Sequence, residues 1–365
     1  MFNVLIVADY AASYAGNFIP SLLALEKEIK RNNGNVFYLF PEDANQYEWT
    51  NEIGNIEFVQ WKKKKLYGAI RQCVKNNNID IIHAHMIQWK DAAVIRIAGV
   101  GKKYVWHFHN HIIINQKASK MSQIIKKILL RGIYVNSKKI GVSKDVATNV
   151  ESILKDNHHT SAILNAIELS RLSEVNEQTY IPKKENNSIH CLILGNHYER
   201  KGVDLAVKAV KSLSEKGRNV VLYVAASQAP GIEDFLNKIV GENVADCKYL
   251  FLIPTRNDIA SYYKNIDCML APSREEGFNY AAAEAAYCGC SVILSKIPGQ
   301  RENIVPSFIW IDDPNKVSED TIIKQLVEAI QSSRNTTNMD GIASWIASNY
   351  SLENLAKKVY EVYLG

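Results

Sequence analysis

The chain runs twice through one pattern: a short, almost wholly apolar strand, a loop of small residues or glycine, and an amphipathic helix. The first series opens with Phe2-Asn-Val-Leu-Ile-Val-Ala8 and a loop over residues 9–16, followed by a helix over 17–31 with Ile19, Leu22, Leu23, Leu25 and Ile29 on one side. Further strands are predicted at 35–40, 79–83, 103–107 and 139–143, with helices such as 66–75 and 91–98 between them. Residues 174–188 break the pattern, being poor in hydrophobic periodicity and rich in Asn, Glu and Lys. The alternation then restarts with strands at 189–194, 220–225, 249–252, 267–271 and 291–294, and helices near 203–216, 232–240, 258–264, 319–331, 342–348 and 352–363. Apolar strands alternating with helices build parallel sheets covered on both faces, with ligands at the carboxyl ends of the strands. The expectation is α/β: a first domain over 1–172, a linker over 173–188, a second domain over 189–349 and a terminal helix over 350–365.

At 365 residues, 47% hydrophobic and 22% charged, the chain is long enough for two cores. No apolar run approaches the roughly 18 residues of a membrane span, and no signal-peptide pattern opens the chain. Cys73, Cys191, Cys247, Cys268, Cys288 and Cys290 show no metal spacing, so a reducing cytoplasm is the expected setting. Residues 1–170 carry 22 Lys and Arg against 14 Asp and Glu, and the remainder 21 against 24, so the front half is the basic one. Its cations cluster at 62–65 and 117–144 instead of interleaving with aromatics, which argues against nucleic acid and for an anionic membrane surface, on the inner face of the cell membrane. Within 117–131, Met121, Ile124, Ile125, Ile128 and Leu129 form an apolar stripe beside Lys117, Lys120, Lys126, Lys127 and Arg131. A surface helix packed on its own sheet and an interfacial helix both fit that pattern.

The chemistry is expected in 273–289, Ser-Arg-Glu-Glu-Gly-Phe-Asn-Tyr-Ala-Ala-Ala-Glu-Ala-Ala-Tyr-Cys-Gly. Pro272 and Gly277 end the preceding strand, and the alanine run from 281 has high helix propensity, which puts Glu276 in the turn and Glu284 in the helix. The N–H groups of Phe278, Asn279 and Tyr280 at the helix start favour an anion such as phosphate, and the two carboxylates are acceptors for sugar or ribose hydroxyls. A second such turn, Gly195-Asn-His-Tyr-Glu-Arg-Lys-Gly202, carries two adjacent cations that suit a diphosphate.

Five of the nine histidines lie at two strand ends: His83 and His85, then His107, His109 and His111. A spacing of two sets each group on one strand face, but no carboxylate stands beside them at ligand spacing. His83 and His111 are therefore read as the polar ends of half-buried strands, and no metal is expected.

Pro272-Ser273, Glu276-Gly277-Phe278, Glu284-Ala285 and Cys288-Gly-Cys-Ser-Val-Ile293 follow one another at the spacing of glycosyltransferase family 4. The chain resembles a retaining, nucleotide-sugar-dependent glycosyltransferase of the GT-B type, two doubly wound Rossmann-like domains facing a cleft. That resemblance implies transfer of a hexose-type sugar from a nucleoside diphosphate sugar to a saccharide or lipid-linked saccharide, without metal or other cofactor. It implies that Glu276 binds the donor hexose, Glu284 the ribose and Lys201 the diphosphate. It also implies that Gly16 lets backbone approach the diphosphate, that the turn 253–258, with Arg256, faces the base, and that His109, with His107 as fallback, lies near the donor sugar or the acceptor. Three positions depart from the family: Ala15 and Ala166 replace glycines, and Asn196 occupies the place of a diphosphate-gripping Arg. Arg200 supplies the missing charge only if it does not point away from Lys201, as neighbours at a helix start usually do. The departures leave open a non-catalytic partner subunit of a glycosyltransferase complex; an epimerase of nucleotide sugars is the other alternative.

Overall fold

The computed structural model describes the chain except residues 1, 116, 157–158, 174–180, 182–186, 257 and 334–340. It divides into two compact units, Met1–Ala166 with Tyr350–Gly365, and Ile167–Asn349. Residues 167–172, expected in the first domain, thus belong to the second. Most of the expected linker lies outside the described residues.

In the first domain the elements run β1 (Asn3–Ala8), α1 (Phe18–Arg31), β2 (Asn35–Pro41), β3 (Ile56–Val59), α2 (Lys63–Asn76), β4 (Ile81–His85), α3 (Trp89–Ala98), β5 (Lys103–Phe108), α4 (Lys120–Tyr134), β6 (Lys138–Gly141), α5 (Lys144–Leu154) and β7 (Thr160–Ala162). The strands form one parallel sheet in the order β3-β2-β1-β4-β5-β6-β7. β1 is apolar from Val4 to Ala8 because it is covered twice. Val4, Ile6 and Ala8 face a core shared with α1, and Leu5 and Val7 face another shared with α2 and α3.

The second domain runs β8 (Ile189–Leu194), α6 (Tyr198–Lys201), α7 (Val203–Glu215), β9 (Val220–Ala225), α8 (Ile232–Val240), β10 (Leu250–Ile253), α9 (Ala260–Tyr263), β11 (Cys268–Ala271), α10 (Tyr280–Tyr287), β12 (Ser291–Ser295), α11 (Pro298–Arg301), β13 (Phe308–Ile311), α12 (Glu319–Ser332) and α13 (Ile342–Asn349). Its parallel sheet has the order β10-β9-β8-β11-β12-β13. The last helix, α14 (Leu352–Leu364), belongs to the first domain, where Leu355, Val359 and Tyr363 join the core that holds α1. Three short strands were not expected from sequence: β3 and β7 carry little apolar pattern, and β13 is apolar but only four residues long. In each sheet the strand order reverses beside the central strand, at β1/β4 and at β8/β11, and ligands of such folds bind outside the carboxyl ends there.

Candidate active site

Beyond β8 the chain makes the single turn α6, which ends at Gly202 with φ +71°. A Cβ at Gly202 would stand 2.2 Å from the Pro272 carbonyl oxygen, so the turn and the loop after β11 approach as only glycine permits. Arg274 fastens the two. Its backbone N–H donates to the Arg200 carbonyl at 2.8 Å, and its guanidinium donates to the Glu199 carbonyl at 2.7 Å and to both oxygens of Asp204 at 2.8 and 2.7 Å.

This closure sets two cations against one carboxylate. Lys201 Nζ donates to Oε1 of the buried Glu276, and Ser273 Oγ donates to the same oxygen at 3.1 Å. Arg200 Nη1 lies 3.7 Å from Glu276 Oε2 and donates to the Glu275 carbonyl at 3.4 Å. The expectation that Arg200 and Lys201 point apart is corrected. They stand on one four-residue turn stopped by Gly202, and both side chains fold toward the loop.

The loop is held from beneath by residues the sequence reading passed over. Ser295 Oγ donates to the Ser273 carbonyl at 2.6 Å, Gln300 Nε2 to the Ala271 carbonyl at 3.3 Å, and Asn303 Nδ2 to the carbonyls of Phe278 and Asn279 at 3.3 and 3.0 Å. A Cβ at Gly299 would come within 1.8 Å of the Glu276 carbonyl oxygen. Pro298-Gly299 was the available signal, since that pair marks a turn.

Asn279 caps α10 from a left-handed conformation, φ +57°, its Oδ1 accepting from Ala282 N at 3.4 Å. The first helical residue is therefore Tyr280, so of the expected trio Asn279 is the cap, Tyr280 opens the helix and Phe278 precedes both. Gly277 sits between that cap and Glu276. Within α10, Glu284 is buried; Arg171 donates to its Oε1 and the Tyr263 hydroxyl to its Oε2 at 3.3 Å. Both partners lie in the second domain, Arg171 in the segment first assigned to the other one.

Asn196 follows β8, and its Oδ1 accepts from Thr255 Oγ1 at 3.0 Å. Arg256, expected at the base, forms a bidentate pair with Asp258 at 2.5 and 2.8 Å, so its charge is met within its own turn.

In the first domain Gly16 stands ahead of α1 at φ +57°. His109 follows β5, its Nε2 3.2 Å from His85 Nδ1, and burial pushes its pKa down to about 4, so the imidazole is neutral. His107 is buried on the same face. Asp9, at the carboxyl end of β1, was not singled out from sequence; burial and then the nearby Asp91 raise its carboxyl above the usual range.

Residues 176–340 match the family described as glycosyl transferases group 1. An uncharacterized 41.2 kDa protein in the cps region of Klebsiella pneumoniae is 24% identical over 274 residues, covering 70% of this chain and 72% of that one. The O-antigen biosynthesis glycosyltransferase WclY of Escherichia coli is 24% identical over 287 residues, 76% of each chain. Among solved structures, HepE of Anabaena, in complex with UDP and glucose, has a TM-score of 0.76 at 13% identity and covers 100% of both chains, a likeness of fold. The loop that gathers Arg200 and Lys201 onto Glu276 lies inside the segment that matches the glycosyl transferases group 1 family, and the fold around it is of the GT-B type.

Proposed function

We propose that the protein moves a hexose-type sugar from a nucleoside diphosphate sugar to a hydroxyl of a saccharide or lipid-linked saccharide, with retention at the anomeric carbon, in cell-surface polysaccharide synthesis. The observation that carries this reading is the meeting of Lys201 and Arg200 with Glu276 where β8 and β11 end, ahead of the α10 N-terminus. The UDP and glucose bound by HepE support the donor class, and the cps and O-antigen relatives support the setting.

A diphosphate, carrying about two negative charges, draws Lys201 and Arg200 from Glu276, whose carboxylate then accepts donor hydroxyls. The bond from the anomeric carbon to the diphosphate oxygen breaks as the acceptor oxygen bonds to that carbon on the same face. The acceptor's proton passes to the leaving phosphate oxygen. Charge growing on the diphosphate is met by Lys201, Arg200 and the first turn of α10, in the role a metal ion plays in other transferases. Asn196 contributes a hydrogen bond where the family has a cation, and Arg200 takes over the charge. Glu284 accepts from the ribose beside Arg171, Gly16 admits the diphosphate, and neutral His109 meets the sugar or the acceptor hydroxyl.

No helix among the described residues is long and apolar enough to cross a membrane. α4 supports a peripheral association instead: Met121, Ile124, Ile125, Ile128 and Leu129 are between 49% and 65% exposed, while Leu130 and Tyr134 hold the helix to the sheet. An apolar stripe turned outward among lysines suits an anionic lipid surface, where a lipid-linked acceptor resides.

Thermal unfolding with UDP, GDP, ADP and TDP in the presence of EDTA tests the donor site. One nucleotide at a hundred times its dissociation constant should stabilise the protein by about 2.7 kcal/mol, an effect lost in Lys201→Ala. If none stabilises it, the partner-subunit reading replaces this one. Conversion of a nucleotide sugar without any acceptor would establish the epimerase instead, and binding or turnover only with a divalent ion would remove the metal-independent part.

A further inference from the structure

β4 and β5 lay histidines along one face of the first sheet. His83 and His85 are two apart on β4, and the strand register sets His107 directly beside His85. Two residues per repeat return a side chain to the same face, so the three rings converge. Ring centroids are 4.1 Å apart for His83 and His85, 4.8 Å for His85 and His107, and 5.5 Å for His83 and His107. One nitrogen from each lies within 4.8 Å of the others. All three residues are buried.

Their hydrogen bonds set them apart from ordinary packed histidines. His83 Nδ1 is 2.7 Å from the Tyr363 hydroxyl, and His85 Nδ1 is 3.2 Å from His109 Nε2. His83 Nε2, His85 Nε2 and both nitrogens of His107 have no partner. Leaving one buried polar atom unpaired costs about 1–3 kcal/mol, and three adjacent rings doing so calls for a ligand. Burial, reinforced by the neighbouring histidines, holds all three well below the usual imidazole range. The neutral ring is the form whose lone pair binds a metal.

We propose that His83, His85 and His107 bind a borderline divalent transition metal ion, with zinc the first candidate, through these unpartnered nitrogens. A set made of imidazoles alone favours zinc, nickel or copper over magnesium or calcium, which take oxygen ligands. It needs no neighbouring carboxylate, which is why the sequence reading expected no metal here. Tyr363 and His109 occupy the second nitrogens of His83 and His85, the arrangement that fixes ring orientation in histidine metal sites. Zinc holds nitrogen at about 2.0–2.1 Å in tetrahedral geometry, so the nitrogens would close to about 3.4 Å of one another. His107 also lines a cavity of about 470 Å³ with Met86, Trp89 and His109. The site belongs to the first domain and is independent of the diphosphate reading, which needs no metal.

Tag-free protein stripped with a chelator and dialysed against Zn²⁺ or Co²⁺ tests this, with bound metal measured by mass spectrometry and the Co²⁺ form by visible absorption. One ion per chain is expected, with a tetrahedral d–d band that Zn²⁺ abolishes and Mg²⁺ does not. His107→Phe keeps a ring and forfeits no hydrogen bond, so it should retain the circular dichroism spectrum and lose the ion; His111→Gln should retain it. A wild type that holds no ion above the stripped blank, or a folded His107→Phe that binds as well as wild type, overturns the proposal.

Discussion

Gly202 fixes the spacing between α6 and the loop after β11 through a single missing atom. Its φ of +71° and the 2.2 Å that would separate a Cβ from the Pro272 carbonyl are independent penalties. Left-handed backbone alone costs an L-residue about 1–2 kcal/mol, and the overlap adds to it. Gly202→Ala should therefore lose about 2 kcal/mol or more in urea unfolding; an unchanged midpoint would mean that the loop can withdraw. The glycine itself was legible, as the end of Gly195-Asn-His-Tyr-Glu-Arg-Lys-Gly202. Its contact with Pro272, like the pairing of Arg274 with Asp204, joins residues about seventy positions apart, and no local pattern records such a partner. The carboxylate pair was read correctly as one turn residue and one helix residue. That Glu284 already holds Arg171 was not readable, because Arg171 comes from the far side of the domain boundary region.

Among the elements, α1 and α4 carry similar amphipathic stripes and meet opposite fates. The stripe of α1, with Ile19, Leu22 and Ile29, is buried against β1, β2 and α14. That of α4 faces away from its sheet, which holds the helix by Leu130 and Tyr134. Periodicity measures only that a helix has an apolar side, so the sequence left α4 between a packed and an interfacial helix. The exposed stripe favours the interface. Co-sedimentation with vesicles rich in anionic lipid should show binding that falls as salt rises, each cation at the surface adding about 1 kcal/mol. Lys126→Glu with Lys127→Glu should release the protein at low salt; binding unaffected by both changes would leave α4 as bare surface.

At the scale of the whole molecule, buried phenols and thiols in both domains tie stability to alkaline pH. Burial raises Tyr104 in the first domain to about 12, opposed by Arg96, and Tyr249 in the second to about 12, with Cys247 and Glu242 adding to the rise. Burial and then Glu284 raise the Cys288 thiol to about 11. An acid whose folded pKa is raised costs no stability below its unfolded pKa, then destabilises until the folded pKa is passed. The window opens near pH 9 for the thiol, near pH 10 for the phenols, and extends to about 12. Lys139, lowered by burial, acts in the opposite sense up to its unfolded pKa near 10.5. The melting temperature should therefore decline from about pH 9 and more steeply above 10, and Tyr104→Phe should make the decline shallower. A melting temperature flat to pH 11 would mean that these groups ionise without unfolding.

What the sequence alone determined was the alternation, and with it two parallel doubly wound sheets, because period and apolar run length are local properties of strands and helices. It also placed the candidate loop and helix start within residues 273–289 and the paired cations at Arg200 and Lys201, because glycine, proline and helix-forming runs punctuate the chain locally. The tertiary structure decided the rest: that both cations reach Glu276, that Ser295, Gln300 and Asn303 hold the loop, and that α4 turns its apolar stripe outward. It also decided that three histidines from two strands share a buried space with nitrogens unpaired. Each of these joins residues distant in sequence, and only the register of the sheets and the packing of helices on them bring such residues within reach.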